Sequence, residues 1–407
     1  NKTAAFSVGF IRRKSGEVCG YMNDRKPFGG VMFLAAGAAA LLLTVFFVAP
    51  NSGSAADAFL DAVRRGMSAE SITVKKMSSG KEPTFEAASE EATKKLDSVA
   101  AVLTDGETAA ANENIAEKSD EYETPSDIAA MRDEYVAAFA EAKPQGKVTE
   151  CFFTTNGSTV SVGNVHIKNT TSKTPDFASL LRDGISIDAP DLSKPTVLIF
   201  HTHTTESYLM ADNGVFYSDY QTRSEDPSRN MVRVGNEICR RLEEAGIGVI
   251  HDTNIYDATY NGAYARSRKA VLEYLDKYPS IKVVLDVHRD AVYTTETDHL
   301  KPVCEINGKK SAQVMIITGA DGGPVASFPH WEDNLKFALA LQKRVQSEYE
   351  GLMKPVYFCN RRYNMDVTPC SLLLEFGSDA NTLDEAVYAA SMLGMSLGRL
   401  INEGAVK

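Results

Sequence analysis

The sequence lacks the excess of positive charge on which nucleic-acid binding depends. Lysine and arginine number 43 among its 407 residues, against 54 aspartates and glutamates, which gives a formal net charge of −11. A surface of this sign repels a phosphate backbone, so nucleic acid is excluded as the principal partner. Also missing are a Walker loop and a Gly-x-Gly-x-x-Gly after a predicted strand, the phosphate-binding loops of nucleotide enzymes.

Cysteine and histidine are scarce as well. No two of the six cysteines have the Cys-x-x-Cys spacing of a zinc knuckle or a redox motif. A bridge between Cys359 and Cys370, a bridge from Cys151 to a partner, and buried free thiols are all compatible with the pattern. Of only seven histidines, three lie in two short clusters beside carboxylates, and these clusters are the main evidence for chemistry.

One long stretch lacks charge altogether. Residues 31–49 contain no Asp, Glu, Lys or Arg, and a run of about 20 apolar residues suits a membrane span. Six lysines and arginines precede it, against one Glu and one Asp, so the positive-inside rule places the N-terminus in the cytoplasm and everything after Pro50 outside. The alternative is a cleaved signal peptide, whose apolar region usually has about 7–15 residues. We predict a cytoplasmic basic arm at 1–30 and an uncleaved anchor at 31–50 in a single-pass membrane protein.

The rest of the chain divides by composition into three parts. Residues 51–145 are rich in Ala, Glu, Lys, Asp and Ser and poor in large apolar residues, which predicts an acidic stalk that is partly helical or disordered. Residues 146–193 show the alternation and β-branching of short strands and form a β-rich segment that leads into the main domain. Residues 194–407 form the predicted catalytic domain.

In the predicted catalytic domain, segments typical of strands alternate with segments typical of helices. The predicted strands are 196–201, 247–251, 281–287, 312–318, 354–358 and 371–376, and the predicted helices are 229–245, 262–277, 332–348 and 383–402. This alternation predicts an α/β fold with a mostly parallel sheet and helices on both faces. Open α/β sheets build their sites at the carboxyl ends of the strands.

Three of the predicted strands end in side chains that bind metal ions or carry protons. His201, His203 and Glu206 follow the first strand. His288 follows another, and Glu375 lies at the end of a third. Catalytic zinc usually takes three protein ligands of histidine or carboxylate type and keeps one position open for water. The sequence therefore predicts zinc-assisted hydrolysis.

His203 and Glu206 are the preferred ligands near the first strand. They are three residues apart, and if a helical turn begins there, both side chains face the same way. If the strand continues instead, His201 and His203 share a face. Whether His201 replaces one of the other two therefore stays open at this point. No nucleophile elbow supports the alternative of a serine hydrolase built on Ser207.

His288 is the distant ligand, and Glu375 is the candidate proton carrier. Either Asp286 or Asp290 can accept the second N–H of the His288 imidazole and so fix its tautomer. Glu375 lies in an apolar run, where a carboxylate is costly to bury unless it is paired or catalytic. Such a carboxylate can take a proton from the attacking water and pass it to the leaving amine. An ion pair with Arg361 or Arg362 is the alternative.

Three motifs resemble the stage II sporulation protein P family of endospore-forming bacteria. They are His201–Tyr208 (HTHTTESY), Asp286–Asp290 (DVHRD) and Leu374–Gly377 (LEFG), and the likeness includes residues 229–236 (RNMVRVGN). The resemblance covers residues 165–405. A single N-terminal anchor followed by a long stalk also matches the layout of that family. The octapeptide is a specific motif, whereas the stalk is not.

This resemblance implies an outward-facing peptidoglycan hydrolase on the mother-cell side during engulfment. Its implied activity is that of an N-acetylmuramoyl-L-alanine amidase, with an endopeptidase activity on peptide cross-links. The implied partners are the sporulation proteins D, a glycan-strand cleaver, and M, a multi-span membrane protein. The implied cofactor is zinc.

The resemblance to zinc amidases also implies roles for particular residues. His203, Glu206 and His288 match metal ligands, and Glu375 matches the catalytic glutamate. Those amidases usually place their ligand glutamate at the start of the first helix, near Pro227–Met231 here, and that stretch contains no Glu. Glu206 is therefore the candidate for the middle ligand.

Together these features predict a membrane-anchored zinc amidase. One alternative keeps the metal and changes the reaction to deacetylation of cell-wall sugars. A second alternative is a non-catalytic scaffold that binds the wall, and the presence of a complete ligand set argues against it.

Overall fold

The computed structural model describes residues 122–404, apart from residues 154, 156, 185, 186, 188–192 and 296. The predicted basic arm, the predicted anchor and residues 51–121 of the predicted stalk lie outside the described residues. Within the part that is described, none of the helices combines the length and the apolar character needed to cross a bilayer.

Each strand and helix predicted between residues 196 and 402 is present, within a few residues of its predicted limits. The helices are α1 (Ser126–Ala138), α2 (Phe177–Asp183), α3 (Met231–Glu244), α4 (Ala263–Lys277), α5 (Trp331–Glu348) and α6 (Leu383–Gly404). The strands are β1 (Gly146–Cys151), β2 (Val160–Val162), β3 (Val165–Asn169), β4 (Val197–Phe200), β5 (Val215–Phe216), β6 (Val249–His251), β7 (Val283–Asp290), β8 (Tyr293–Thr295), β9 (Asp298–Ile306), β10 (Lys309–Ala312), β11 (Val314–Gly319), β12 (Val356–Cys359) and β13 (Ser371–Ser378).

The main sheet has eight strands in the order β2-β3-β12-β11-β13-β7-β4-β6. Apart from the edge strand β2, which is antiparallel to β3, it consists of two parallel blocks, β3-β12-β11 and β13-β7-β4-β6. These run in opposite directions and meet at the antiparallel pair of β11 and β13. A smaller sheet, β10-β9-β1-β5 with β8 on β9, contains mostly antiparallel pairs.

The prediction of a mostly parallel sheet is therefore wrong, because both sheets are mixed. Parallel neighbours need a crossover connection, which is usually a helix. Helices α3, α4 and α5 supply such crossovers within the two blocks. Between β7 and β11 the chain forms the strands β8, β9 and β10 instead of a helix, and the strand direction reverses there.

Helices cover both faces of the main sheet, as predicted. Successive side chains of a strand point to opposite faces, and β4 shows this directly. Val197 and Ile199 belong to the large core that includes α3, α5 and α6, whereas Leu198 and Phe200 pack with Val271 of α4. Because both of its faces are buried, β4 is apolar throughout, and polar residues appear only after it ends.

The described part of the predicted stalk packs on a loop that borders the site. The Tyr135 ring of α1 lies edge-on to Tyr220 at 4.9 Å between centroids, and Phe139, the residue that follows α1, stacks on Tyr217 at 4.8 Å. The Tyr220 hydroxyl donates to the carbonyl oxygen of Tyr208 at 2.8 Å. Residues 126–138 are thus helical and fix the loop after Tyr208.

The five cysteines in the described residues are all buried free thiols. Cys359 and Cys370 form no disulfide with each other, so the bridge considered between those two is absent.

Candidate metal centre

The turn after β4 places His203 and Glu206 on the same side. The strand ends at Phe200, and the N–H of Glu206 donates to the carbonyl oxygen of His203 at 3.0 Å. As a result, Nδ1 of His203 lies 3.3 Å from Oε1 of Glu206. Of the two arrangements considered from the sequence, the helical turn is present and the continued strand is not.

The third side chain of the cluster is His288, which comes from β7, the neighbour of β4 in the sheet. Its Nδ1 atom lies 3.4 Å from Oε2 of Glu206. One donor atom from each of His203, Glu206 and His288 lies within 4.8 Å of the other two, and all three residues are buried. In the part of the chain that the structure describes, no other group of His, Cys, Asp and Glu meets these conditions.

Asp286 fixes the orientation of the His288 ring. Its Oδ1 lies 2.7 Å from Nε2 of His288. The same carboxylate accepts hydrogen bonds from the backbone N–H and the hydroxyl of Thr202, at 2.8 and 2.7 Å. A carboxylate beside Nε2 requires a proton on that nitrogen, which leaves Nδ1 to face Glu206. Asp286, rather than Asp290, therefore contacts the ring.

Asp286→Asn is expected to weaken zinc binding about 10–100-fold, the usual effect of losing the partner of a metal-bound histidine. The amide is a weaker acceptor, and its NH₂ group can face Nε2 and favour the wrong tautomer. Competition with a chelating dye measures the affinity. Asp276→Asn, which changes an exposed acid of α4, is the matched control. Equal zinc affinity in Asp286→Asn and the wild type would show that Asp286 has no such role.

The environment of Glu206 keeps it ionised. Burial opposes the charged form, yet the imidazoles of His203 and His288 and the guanidinium of Arg289 hold its pKa well below the usual range. A guanidinium nitrogen of Arg223 lies 3.3 Å from Oε1, and the backbone N–H of Arg289 donates to Oε2 at 3.3 Å. A carboxylate in this form is a metal ligand rather than a neutral acid.

Arg223 belongs to a network that holds the turn and that the sequence did not reveal. Its NH1 group donates to Asp257 at 2.7 Å. The buried Asp257 carboxylate also accepts from the backbone N–H of Thr205 at 3.1 Å and from its hydroxyl at 2.6 Å. These residues are 18 or more positions apart along the chain, so no local pattern indicated their contact.

His201 points away from the cluster. It is fully buried, its Nδ1 lies 2.8 Å from the carbonyl oxygen of Val287, and its Nε2 lies 2.8 Å from Nε2 of His251. Burial, followed by the neighbouring His251, lowers the pKa of His201 well below its usual value. The ring is therefore neutral, with Nδ1 donating to the carbonyl oxygen of Val287.

Helix α3 packs closely against this histidine pair through Gly235. A Cβ atom at Gly235 would lie 2.5 Å from Nε2 of His251 and 2.8 Å from Nε2 of His201. Both imidazoles are held by hydrogen bonds to other groups, so they have little freedom to move aside.

Gly235→Ala is therefore expected to lower the free energy of unfolding by about 1–3 kcal/mol, the range for overpacking. Helix propensity alone predicts the opposite sign, a gain of about 1 kcal/mol, so the direction of the change is diagnostic. Urea unfolding measures it, and Glu243→Ala at an exposed position of the same helix is the control. A more stable Gly235→Ala variant would contradict the close packing.

Glu375 lies directly beside the cluster. Strands β13 and β7 are parallel neighbours, and Glu375 is the register partner of His288. The residue is half-buried, and its Oε2 atom has no hydrogen-bond partner among the described residues. Burial, followed by the negative charge of Asp290, raises its pKa to about 8. The alternative of an arginine pair is not supported for Arg362, which instead pairs with Asp366 at 3.4 Å.

Two tyrosines that the sequence did not indicate also contact the cluster, Tyr260 in the loop before α4 and Tyr264 in its first turn. The Tyr260 ring stacks on His203 at 4.9 Å between centroids. Tyr264 lies edge-on to His203 at 5.5 Å and parallel to His288 at 6.4 Å. Helical periodicity gave no signal for the pair, because Tyr260 lies in the loop before α4 and only Tyr264 lies in the helix.

A Gly-x-Ser-x-Gly sequence does occur, at residues 394–398, but it is not a nucleophile elbow. It lies in the middle of α6, and Ser396 is buried. The two glycines let α6 approach α3, since a Cβ atom at Gly398 would lie 2.8 Å from the Cβ of Ala245 and one at Gly394 would be similarly close to α3. The pattern serves helix packing rather than catalysis.

Comparison with known proteins identifies the family to which the chain belongs. The family model described as stage II sporulation protein P matches residues 64–397. Stage II sporulation protein P of Bacillus subtilis (strain 168) is 32% identical over 210 residues, which are 49% of this chain and 49% of that relative. The match thus spans about half the length of the curated relative.

Two solved structures with which the chain aligns are amidases. The CwlD amidase from Clostridioides difficile, in complex with the GerS lipoprotein, is 12% identical with a TM-score of 0.32, covering 51% of this chain and 95% of that one. The N-acetylmuramoyl-L-alanine amidase AmiC2 of Nostoc punctiforme is 10% identical with a TM-score of 0.29, covering 52% and 94%. The family model alone covers well over half of the sequence. The chain therefore belongs to the stage II sporulation protein P family, as its three motifs predicted.

Proposed function

We propose that this chain is a zinc-dependent peptidoglycan hydrolase of sporulation that cleaves the amide bond between N-acetylmuramic acid and L-alanine, and peptide cross-links as well. The observation that carries the proposal is the convergence of His203, Glu206 and His288, with donor atoms within 4.8 Å of one another, beside the buried carboxylate oxygen of Glu375. Membership in the family supports the substrate class.

The donor set suits zinc. Two imidazole nitrogens and a carboxylate oxygen are ligands of the types found in catalytic zinc sites, which use three protein ligands. His203, Glu206 and His288 would hold the ion, and Asp286 would keep the His288 ring in the required tautomer. When bound, zinc polarises a carbonyl group and lowers the pKa of a water molecule.

Glu375 would carry the proton. Its register position beside His288 places its carboxylate next to the ligands, where a general base and acid can act on the attacking water. The carboxylate would take a proton from the attacking water and then give it to the leaving nitrogen of the amide. Because Oε2 has no other partner among the described residues, nothing there competes for this role.

The proposed location follows from the sequence. The anchor at 31–50 would hold the catalytic domain at 194–407 outside the cell membrane, with the stalk between them, and sporulation proteins D and M would be the partners. Protease treatment of intact cells tests the topology, because only residues after the anchor should be degraded.

Product analysis tests the reaction. We expect the zinc-loaded protein to release stem peptides with a free N-terminal L-alanine from purified peptidoglycan, as detected by mass spectrometry. A chelator should stop the release, and added zinc should restore it. Release of acetate with intact amide bonds would favour a deacetylase instead, and unchanged wall fragments after prolonged incubation would favour a scaffold.

A further inference from the structure

The Tyr264 side chain contacts both histidines of the candidate metal centre, and the proposed function as stated gives it no role. Its ring centroid lies 5.5 Å from that of His203 and 6.4 Å from that of His288. The carboxylates of Asp286, Glu375 and Glu206 all act electrostatically on its phenol. The tyrosine thus faces the space that the ligands and the proton carrier share.

Residues Tyr363 and Asn364 hold Tyr264 in place. Its carbonyl oxygen accepts a hydrogen bond from Nδ2 of Asn364 at 3.1 Å, and the ring of Tyr363 stacks on its ring at 5.1 Å between centroids. The Asn364 amide also donates to the hydroxyl of Ser267 at 3.0 Å, and that hydroxyl lies 2.8 Å from the hydroxyl of Thr202. The tyrosine therefore shares one buried hydrogen-bond network with the turn that follows β4.

The backbone of the supporting segment is strained. Tyr363 and Asn364 have φ angles of 39° and 57°, in the left-handed region that residues other than glycine adopt infrequently. Such conformations persist where the surroundings fix them, and they cluster at functional sites. Here the strained pair fixes the ring and backbone of Tyr264 before any substrate arrives.

The hydroxyl of a tyrosine whose ring is fixed against both histidine ligands has a clear chemical use. When water adds to an amide carbonyl, the electrons of the C=O double bond move to its oxygen, and a preorganised donor at that oxygen lowers the barrier. We propose that the Tyr264 hydroxyl donates a hydrogen bond to the oxygen of the scissile amide as this negative charge develops. The hydroxyl keeps its own proton throughout, so Glu375 remains the group that transfers protons. This inference rests on the proposed function.

Tyr264→Phe tests the role, because it keeps the ring and its stacking contacts and removes only the hydroxyl. In the zinc-loaded full chain we expect kcat for stem-peptide release to fall about 10²–10³-fold, the effect of losing one oxyanion donor. KM and zinc affinity should stay close to wild type. The control is Tyr274→Phe, the same change ten residues along α4, which is about 15 Å away at 1.5 Å per residue.

A binding measurement separates transition-state stabilisation from positioning. A phosphinate analogue of the scissile amide is tetrahedral and anionic, and a transition-state contact should affect its affinity as it affects kcat/KM. By calorimetry, Tyr264→Phe should weaken phosphinate binding by about the same factor as kcat/KM and leave the affinity for the product peptide unchanged.

The possible outcomes are distinct. Wild-type kcat in Tyr264→Phe, or a loss of kcat matched by an equal loss of zinc affinity, would overturn the catalytic role and leave the proposed function standing. A wild-type protein that releases no stem peptide would overturn the proposed function itself and this role with it. A selective loss of phosphinate binding in an active enzyme would support both.

Discussion

Glu375→Gln is expected to lower peptidoglycan cleavage by about 10²–10⁴-fold, the contribution of a positioned general acid and base. Glutamine has nearly the same shape but cannot take a proton from water or deliver one to the leaving nitrogen. The three proposed ligands are other residues, so zinc stoichiometry should be unchanged. Stem-peptide release measured by mass spectrometry and bound zinc measured by elemental analysis check the two halves of the prediction.

The same substitution should stabilise the metal-free protein. Burial, followed by the charge of Asp290, raises the pKa of Glu375 from 4.5 to about 8. Between these two values the unfolded chain ionises while the folded protein still holds the proton, so stability falls as the pH rises through this window. At about 1.4 kcal/mol per pKa unit, the loss at pH 8 is on the order of a few kcal/mol. Glutamine does not titrate, so the urea midpoint should rise and lose this pH dependence.

Glu305→Gln is the matched control, because it changes an exposed carboxylate and should alter neither activity nor the pH dependence of stability. Wild-type cleavage by Glu375→Gln would remove Glu375 from proton transfer. Loss of zinc together with activity would instead make Glu375 part of the metal centre.

The parts of the site that the sequence predicted are those built by local patterns. An apolar strand that is buried on both faces has to stop before polar side chains begin, so β4 places His203 and Glu206 at its end. Their spacing of three then needs only one turn to bring them together. His288 and Glu375 instead lie within β7 and β13, in the last residues of each strand, and the sheet order makes these strands neighbours.

The parts that the sequence did not predict depend on contacts between distant segments. Lysine is normally exposed, so nothing local marks Lys301 as fully buried. It is buried because carboxylates from three separate segments surround its ammonium group, Glu150 at 2.9 Å, Asp212 at 2.7 Å and Glu385 at 3.0 Å. This cluster connects the smaller sheet to α6. Its lysine lies in the strands between β7 and β11, where the strand direction reverses.

The supporting groups of the site were missed for the same reason. Thr202 and Asp286 meet across 84 positions of sequence, and Asn364 reaches Tyr264 across 100. Threonine, asparagine and tyrosine are common on surfaces, so their type alone gives no signal. Only the packing of α4 against the strand ends shows that these side chains surround the candidate metal centre.

His203→Gln and His288→Gln are each expected to abolish zinc-dependent cleavage, because each removes one of the three proposed ligands. Each should also lower zinc affinity by more than the factor of about 10–100 expected for Asp286→Asn. His201→Gln should retain zinc, since both ring nitrogens of His201 contact Val287 and His251 instead of the cluster. This comparison decides between the two neighbouring histidines that the sequence left open.

Thermal unfolding with and without zinc measures zinc binding by each variant independently of its activity. A ligand that binds only the folded state stabilises it by about 2.7 kcal/mol at a concentration of 100 times its Kd, so the melting temperature of the wild type and of His201→Gln should rise on adding zinc. His203→Gln and His288→Gln should show little or no rise at the same concentration. His201→Gln will melt lower in absolute terms because it disrupts a buried pair, and for this reason the shift caused by zinc is the quantity to compare. A zinc-induced rise in His203→Gln and none in His201→Gln would assign the metal to His201 and contradict the cluster proposed here.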